Sequence, residues 1–191
     1  MLSVIIATRD SERPLVPTLA ALVPGATAGL ISEVIIADAG SRDETAAVAD
    51  VAGCSFLVLE GPLGRRLKAA AASARAPWLF FLRAGTVLDA AWTGEARRFI
   101  EQPLPTQRAA VFRRDAAAQP GVREALSLFA AALWARPSPE QGLIIAKQFY
   151  ESLGGHREQA GDPETDLIRR LGRRRTVTLS TSAFAAGKIL D

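Results

Sequence analysis

From Leu2 to Leu82 the chain alternates short apolar runs with segments of helical period, and that alternation leaves it few architectures. Leu2 to Ala7 reads as a first strand and Pro14 to Val23 as a helix, with Pro14 suitably placed near its start. Val34 to Ala37 is a second strand, Glu44 to Ala52 a helix, and Phe56 to Leu59 a third strand. Arg65 to Arg75 is an alanine-rich helix and Trp78 to Leu82 a fourth strand. The order is βαβαβαβ, which predicts a mostly parallel central sheet with helices on both faces. Beyond Leu82 the pattern loosens. A helix is expected over Ala90 to Glu101, a strand over Ala109 to Arg113 and a helix over Val122 to Trp134. A strand over Gly142 to Ala146 and a helix over Pro163 to Leu171 follow. PLPTQ and RPSPEQ punctuate loops rather than divide domains, and no internal repeat interrupts the chain.

A length of 191 residues, 49% of them hydrophobic and 23% charged, fits one globular domain. Cys54 is the single cysteine, which excludes an intramolecular disulfide and every cysteine-cluster metal site and suits a reducing compartment. Its neighbours Phe56, Leu57 and Val58 mark it as core. The opening LSVIIAT lacks the basic region and cleavage site of a signal peptide, and no apolar run approaches the ~20 residues that span a bilayer. A cytoplasmic protein with no transmembrane segment is the expectation. The formal charge of +3 is concentrated late, in Arg169, Arg170, Arg173, Arg174 and Arg175. A solvated helix end explains these arginines through the helix dipole; an anionic substrate or peripheral contact with a membrane surface is the competing account. Nucleic acid is not an expected partner, because no aromatic side chains are interleaved with the bases.

The stretch Val34 to Thr45, VIIADAGSRDET, carries the chemistry. A strand ending in Asp38 delivers a carboxylate to the carboxyl edge of the sheet, where open α/β folds leave a crevice for ligands. Gly40 permits a tight turn, and Ser41 or Asp43 can cap the following helix. Read by itself, Asp38 either serves a ligand or makes turn hydrogen bonds. Other chemistries fall away on inventory. His156 is the one histidine, so a His-rich zinc site is impossible and a Ser/His/Asp triad would have to use it. No GxGxxG follows the first strand and no GxxxxGK[ST] occurs. Carboxylates, arginines and backbone turns remain.

With those residues in place, the chain resembles family 2 glycosyltransferases of the GT-A fold. SVIIATRDSE is similar to the family's opening strand and its polar exit, which implies that Ala7, Thr8 and Asp10 face the nucleotide base and ribose. DAGSRDET resembles the family's DDGSTDGT, which implies that Asp38 hydrogen-bonds uracil, with Gly40 and Ser41 in the same turn; Ala39 replaces the second Asp. GRRLKAAAASARAPWLFFLRAGT resembles the helix and strand leading to the metal motif, placing Arg65 near the phosphates. EQGLIIAKQFYESLGGHRE resembles the acceptor-side segment. ADAGSRDET, LFFLRAGT, EQGLI, ESLGG and Thr181-Ser182-Ala183 also follow the order of a short bacterial subgroup associated with radical SAM or selenium proteins. The resemblance covers nearly the whole chain. It implies one domain over 1–191 with a nucleotide-binding half (1–89) and an acceptor-side half (90–191). The implied reaction moves a sugar, with inversion, from a nucleotide diphosphate sugar to a hydroxyl acceptor.

Two departures qualify that expectation. The family's strand ends in an acidic pair that binds Mg²⁺ or Mn²⁺, whereas this chain has Arg83, Ala84 and Gly85, which offer no side-chain oxygen to a hard cation. No metal ligand is therefore assigned. Arg83 can instead neutralise the diphosphate directly, and Asp89 is the one nearby carboxylate that could reach back. The family's catalytic base is an Asp in a Glu-Asp pair; aligning DLIRRL with the family's DLSRRL puts Glu164 at that position, with Asp166 beside it in the first helical turn and Asp162 as the fallback. The alternative function is a catalytically silent GT-A-like nucleotide-binding or interaction module, favoured by Arg83-Ala84-Gly85. A nucleotidyltransferase with a similar sheet fits less well, since its Gly-rich phosphate loop is missing.

Overall fold

The computed structural model describes residues 1–102, 107–114 and 137–186. Among the described residues, eight strands form one mixed sheet in the order β3-β2-β1-β4-β7-β6-β8-β5. β1 (Leu2–Thr8), β2 (Ile31–Asp38), β3 (Ser55–Val58) and β4 (Trp78–Arg83) are mutually parallel. β7 (Leu143–Ala146) runs antiparallel to β4 and to β6 (Ala109–Arg114); β8 (Thr176–Ala185) is parallel to β6, and β5 (Thr86–Leu88) is antiparallel to β8.

The apolar runs exist because both faces of the sheet are covered. Leu2, Val4 and Ile6 of β1 pack with α1 (Glu12–Thr27), α2 (Thr45–Val51) and α4 (Trp92–Glu101) on one side. Ile5, Ile35 and Ala37 pack on the other side with α3 (Leu63–Ser73), α5 (Lys147–Ser152) and α6 (Pro163–Leu171). Trp92 joins the layers of the first core. It stacks against Phe80, with ring centroids 5.8 Å apart, and its indole Nε1 donates to the Ala21 carbonyl at 3.0 Å.

The expected helix over Pro163 to Leu171 and the expected strands of the parallel half are present, most with extended ends. α1 continues four residues past Val23, through Pro24, to Thr27. β5, β8, α5 and two 3₁₀ turns, Pro139–Gln141 and Arg173–Arg175, were not anticipated. In β8 the buried positions Leu179, Thr181 and Ala183 do alternate, but two of the three are too small or polar to mark a strand. The helix expected over Val122 to Trp134 lies outside the described residues.

Among the late arginines, Arg175 donates to the carbonyls of Leu171 and Arg170 at the end of α6, as the helix-end account requires, whereas Arg170 is largely buried and donates to the carbonyls of Leu153 and Gly155 in the segment after α5. Cys54 is half-buried against the first core, and burial pushes its thiol up to about 11, which leaves it unreactive. Among the described residues, no helix is long and apolar enough to cross a membrane.

Candidate functional site

The site is set by topology. α1 leaves β1 on one face of the sheet, and α3 returns to β4 on the other, so the order β3-β2-β1-β4 changes direction between β1 and β4. Ligand crevices open at the carboxyl ends of strands at such a switch point. Register brings the expected residues together there: Thr8 lies opposite Asp38, and Ala7 opposite Arg83. Two surface clefts, of about 240 and 460 Å³, line other parts of α3, α5 and α6, whereas the expected residues gather at the strand ends.

Asp38 is buried and its carboxylate is saturated. Oδ1 accepts from Thr8 Oγ1 at 2.7 Å and from Ser41 Oγ; Oδ2 accepts from the backbone N–H groups of Gly40 at 2.7 Å and Ser41 at 2.6 Å. Burial alone would raise its pKa, but the donors from Ser41, Thr8 and Gly40 outweigh burial and hold it below the usual carboxylate value. These bonds organise the turn, in which Gly40 adopts φ +82°.

The same turn is zipped to the loop after β1. Asp10, at φ +48°, receives the Arg42 N–H at 2.8 Å and gives its own N–H to Ser41 Oγ at 2.8 Å. The Ser11 N–H donates to Thr45 Oγ1 at 2.8 Å, and the Glu12 N–H to Asp43 Oδ2 at 3.0 Å. Asp38→Ala should therefore strand several donors, costing about 1–3 kcal/mol of stability in a denaturant titration. If the nucleotide that the sequence resemblance implies binds at this edge, its affinity should also fall about 10-fold by calorimetry, because the disordered turn no longer presents Thr8, Asp10 and Ser41. Unchanged values for both would remove this role.

Arg65, expected near the phosphates, is exposed; its neighbour Arg66 is the residue buried at the strand ends. Arg66 Nη1 donates to the carbonyls of Thr8 at 3.2 Å and Ala37 at 2.9 Å, while its buried Nε has no partner among the described residues. Burial lowers its pKa, partly offset by the charge of Asp38. Sequence reasoning missed Arg66, though helical spacing signals it: Leu63, Leu67 and Ala70 share its face and Lys68, Ala69 and Ala72 share that of Arg65.

Arg83 and Glu164, expected in separate roles, meet. Arg83 Nε and Nη2 both donate to Glu164 Oε2, at 2.8 and 2.5 Å, with Glu164 buried at the start of α6 and Arg83 the more exposed partner. Burial pulls the Arg83 pKa down, but Glu164, with Asp162 and Glu140 nearby, raises it above its ordinary value, so Arg83 is a permanent cation. Asp162 caps α6, accepting from Thr165 N at 3.1 Å and Thr165 Oγ1 at 2.7 Å. Asp166 is engaged away from this pair: it accepts from Arg170 Nε at 2.8 Å and faces Arg157 at 3.7 Å. In turn, the loop containing Arg157 presses on α3, where a Cβ at Gly64 would lie 2.2 Å from the Arg157 carbonyl oxygen.

The donor set at residues 83–85 does not fit a divalent cation. Arg83 is a cation, and the Gly85 N–H is bound to the Pro14 carbonyl at 2.8 Å and Thr18 Oγ1 at 2.9 Å in a turn at φ +89°. Asp89, the carboxylate that might reach back, is exposed and accepts from the Ala91 N–H at 2.9 Å at the start of α4. Among the described residues, no group of three or more His, Cys, Asp or Glu side chains is placed to hold a metal ion.

Beneath β4, His156 is buried against Phe81 and Tyr150. The Tyr150 hydroxyl accepts the His156 backbone N–H at 3.0 Å, so its own proton points to Nδ1 at 2.9 Å and the ring is assigned as the Nε2–H tautomer. Burial, reinforced by Arg170, pushes the His156 pKa down to about 3, and burial pushes the Tyr150 hydroxyl up to about 12. The histidine is thus a neutral packing group, partnered by Tyr150 rather than by a serine.

Neither a protein-family model nor a curated protein matches the chain. Solved structures do. S. aureus TarS (residues 1–349) is 18% identical with a TM-score of 0.69, over 94% of this chain and 58% of that one. The same protein in complex with UDP gives a TM-score of 0.71 at 17% identity, over 94% of this chain and 57% of that one. Glucosyl-3-phosphoglycerate synthase from Mycobacterium tuberculosis, in complex with Mn²⁺, UDP and glucosyl-3-phosphoglycerate, is 16% identical with a TM-score of 0.68, over 97% of this chain and 71% of that one. The fold is therefore a glycosyltransferase-like α/β fold of the nucleotide-sugar-binding kind. The chain spans little more than half the length of the TarS 1–349 structures.

Proposed function

We propose that this chain is a family 2-like, GT-A-type glycosyltransferase domain that moves a sugar, with inversion, from a nucleotide diphosphate sugar to a hydroxyl acceptor. One observation carries the reading: Thr8, Asp38, Arg66 and Arg83 converge at the carboxyl edge of β1, β2 and β4, with Glu164 in contact with Arg83. In this reading residues 1–89 bind the nucleotide and 90–191 serve the acceptor, with the short radical SAM- or selenium-associated subgroup as the nearest pattern. Ala7, Thr8, Asp10, Gly40 and Ser41 line the base and ribose side. Asp38 and Arg66 fix the strand ends beneath them, and Arg65 stands at the rim. Glu164 takes the proton of the acceptor hydroxyl, while Asp166 supports the helix through Arg170. UDP and Mn²⁺ in the complexes of similar structures motivate the choice of ligands to test. A cytoplasmic location with peripheral membrane contact through the exposed Arg169 and Arg174 accords with this function.

Arg83 occupies the place of the metal ligand and neutralises the donor diphosphate itself. A thermal-shift screen of nucleoside diphosphates and their sugars, each in EDTA and in Mn²⁺, tests this. A matching nucleotide at 100 times its Kd should stabilise the protein by about 2.7 kcal/mol, equally in both buffers, and less as salt rises. Stabilisation that requires Mn²⁺ would overturn the metal-independent reading. The second reading, a silent nucleotide-binding module, is favoured by the commitment of Glu164 to Arg83. Release of nucleoside diphosphate from the selected donor over time separates the two.

A further inference from the structure

Arg83 and Glu164 are 81 residues apart in sequence, and the reading above gives them opposite ends of one reaction, the leaving diphosphate and the attacking hydroxyl. The structure makes them a single ion pair with a particular asymmetry. All of the contact runs from Arg83 Nε and Nη2 to Glu164 Oε2. Among the described residues, Arg83 Nη1 and Glu164 Oε1 take no hydrogen bond, so each partner keeps one free position while the other holds its orientation. Two other carboxylates act on Arg83 at longer range, but both are committed elsewhere: Asp162 to Thr165, and Glu140 to Arg114 at 2.7 Å. Glu164 is thus the carboxylate in contact with Arg83 whose charge changes if it takes a proton.

We propose that the pair is a charge-coupled unit, in which proton uptake by Glu164 hands the positive charge of Arg83 to the departing diphosphate; the inference rests on the donor reading above. The acceptor O–H proton passes to Glu164 Oε1, and the hydroxyl oxygen forms its bond to the anomeric carbon. The bond from that carbon to the diphosphate oxygen breaks, and its electron pair leaves on the nucleoside diphosphate. At rest the negative charge of Glu164 offsets part of that of the guanidinium, so Arg83 holds the donor diphosphate less firmly than it would alone. Once Glu164 is neutral, the guanidinium faces the diphosphate uncompensated, at the moment when negative charge grows there. Nucleoside diphosphate is then held tightly until Glu164 returns its proton to solvent, which links product release to resetting the base.

Glu164→Gln mimics the protonated state, so it separates this coupling from a mere orienting role. Calorimetry of the full chain with UDP and with uridine should show UDP binding about 10-fold tighter in Glu164→Gln than in the parent, with uridine unchanged. In an Arg83→Gln background the same substitution should leave UDP affinity unaltered, closing a double-mutant cycle. UDP binding that is unchanged or weaker in Glu164→Gln overturns the proposal, the weaker result meaning that Glu164 only orients Arg83. In the unmodified protein the Arg83 Nε–Hε resonance should shift on saturation with UDP and not with uridine; an unmoved resonance overturns it without any variant. If no nucleoside diphosphate binds the parent, the donor reading itself falls, an outcome distinct from UDP binding that ignores Glu164.

Discussion

Glu164→Gln is expected to lower sugar transfer about 10²–10⁴-fold while nucleotide binding survives, since a positioned general base contributes that range and glutamine keeps the size without accepting a proton. The measurement is release of nucleoside diphosphate from the donor selected by the binding screen. Glu164 is buried at the first turn of α6 and held by Arg83, so its position is defined on the protein side. The control is Asp162→Asn. Asparagine also caps helices, so that variant should fold, lose at most about 1 kcal/mol and turn over normally. Collapse of activity in Asp162→Asn with persistence in Glu164→Gln would move the base to Asp162.

Acid should unfold the protein through His156. An imidazole that titrates near 6.5 in the unfolded chain and near 3 in the folded one binds a proton more readily when unfolded. Stability is therefore full above pH 6.5 and is lost as pH falls below it, at a rate approaching about 1.4 kcal/mol per pH unit and of order 5 kcal/mol in all. The depressed carboxylates behave differently in range, though not in sign. Asp38 and Asp162, both lowered from 3.8, and Glu33, lowered from 4.5, withdraw stability only as pH falls past those values. The window between about pH 6.5 and 4.5 belongs to the histidine. Denaturant titrations at pH 7.5, 5.5 and 4.5 should show a decline that disappears in His156→Asn, which offers Tyr150 an acceptor and cannot titrate. A decline of equal slope in that variant would assign it to another group.

The parallel half of the fold was legible because β1, β2 and β4 are buried on both faces over most of their length and so are written largely in Val, Ile, Leu and Phe. In the other half α4, β6, β7 and α6 were legible, but β5 and β8 were not. β5 is only three residues long, and the buried face of β8 runs through Thr181 and Ala183 beside Leu179, so neither stands out as an apolar run. The positions gathered at the strand ends were legible one by one, since Thr8, Asp38 and Arg83 each close an apolar run. What joins them was not, because a contact such as Arg83 with Glu164 depends on how the acceptor-side elements return to the sheet, and no local pattern encodes that. Arg65 and Arg66 illustrate a finer limit: adjacent residues on a helix differ by about a quarter turn, so only the phase of the apolar face tells which one is drawn inward.

The loops after β1 and β2 are bound to each other as well as to the strands they leave. Asp10 with Arg42 and Ser41, Ser11 with Thr45, and Glu12 with Asp43 make reciprocal bonds across that seam. Such a seam has the character of a single part assembled from two distant stretches of chain. Any attempt to redesign this edge meets that constraint: changing one loop breaks bonds on the other, and Asp10 at φ +48° admits few replacements besides asparagine and glycine. Variation on one side alone should be purged and paired variation kept, so libraries that diversify residues 9–12 and 40–45 together should yield folded variants where single-loop libraries yield misfolded protein.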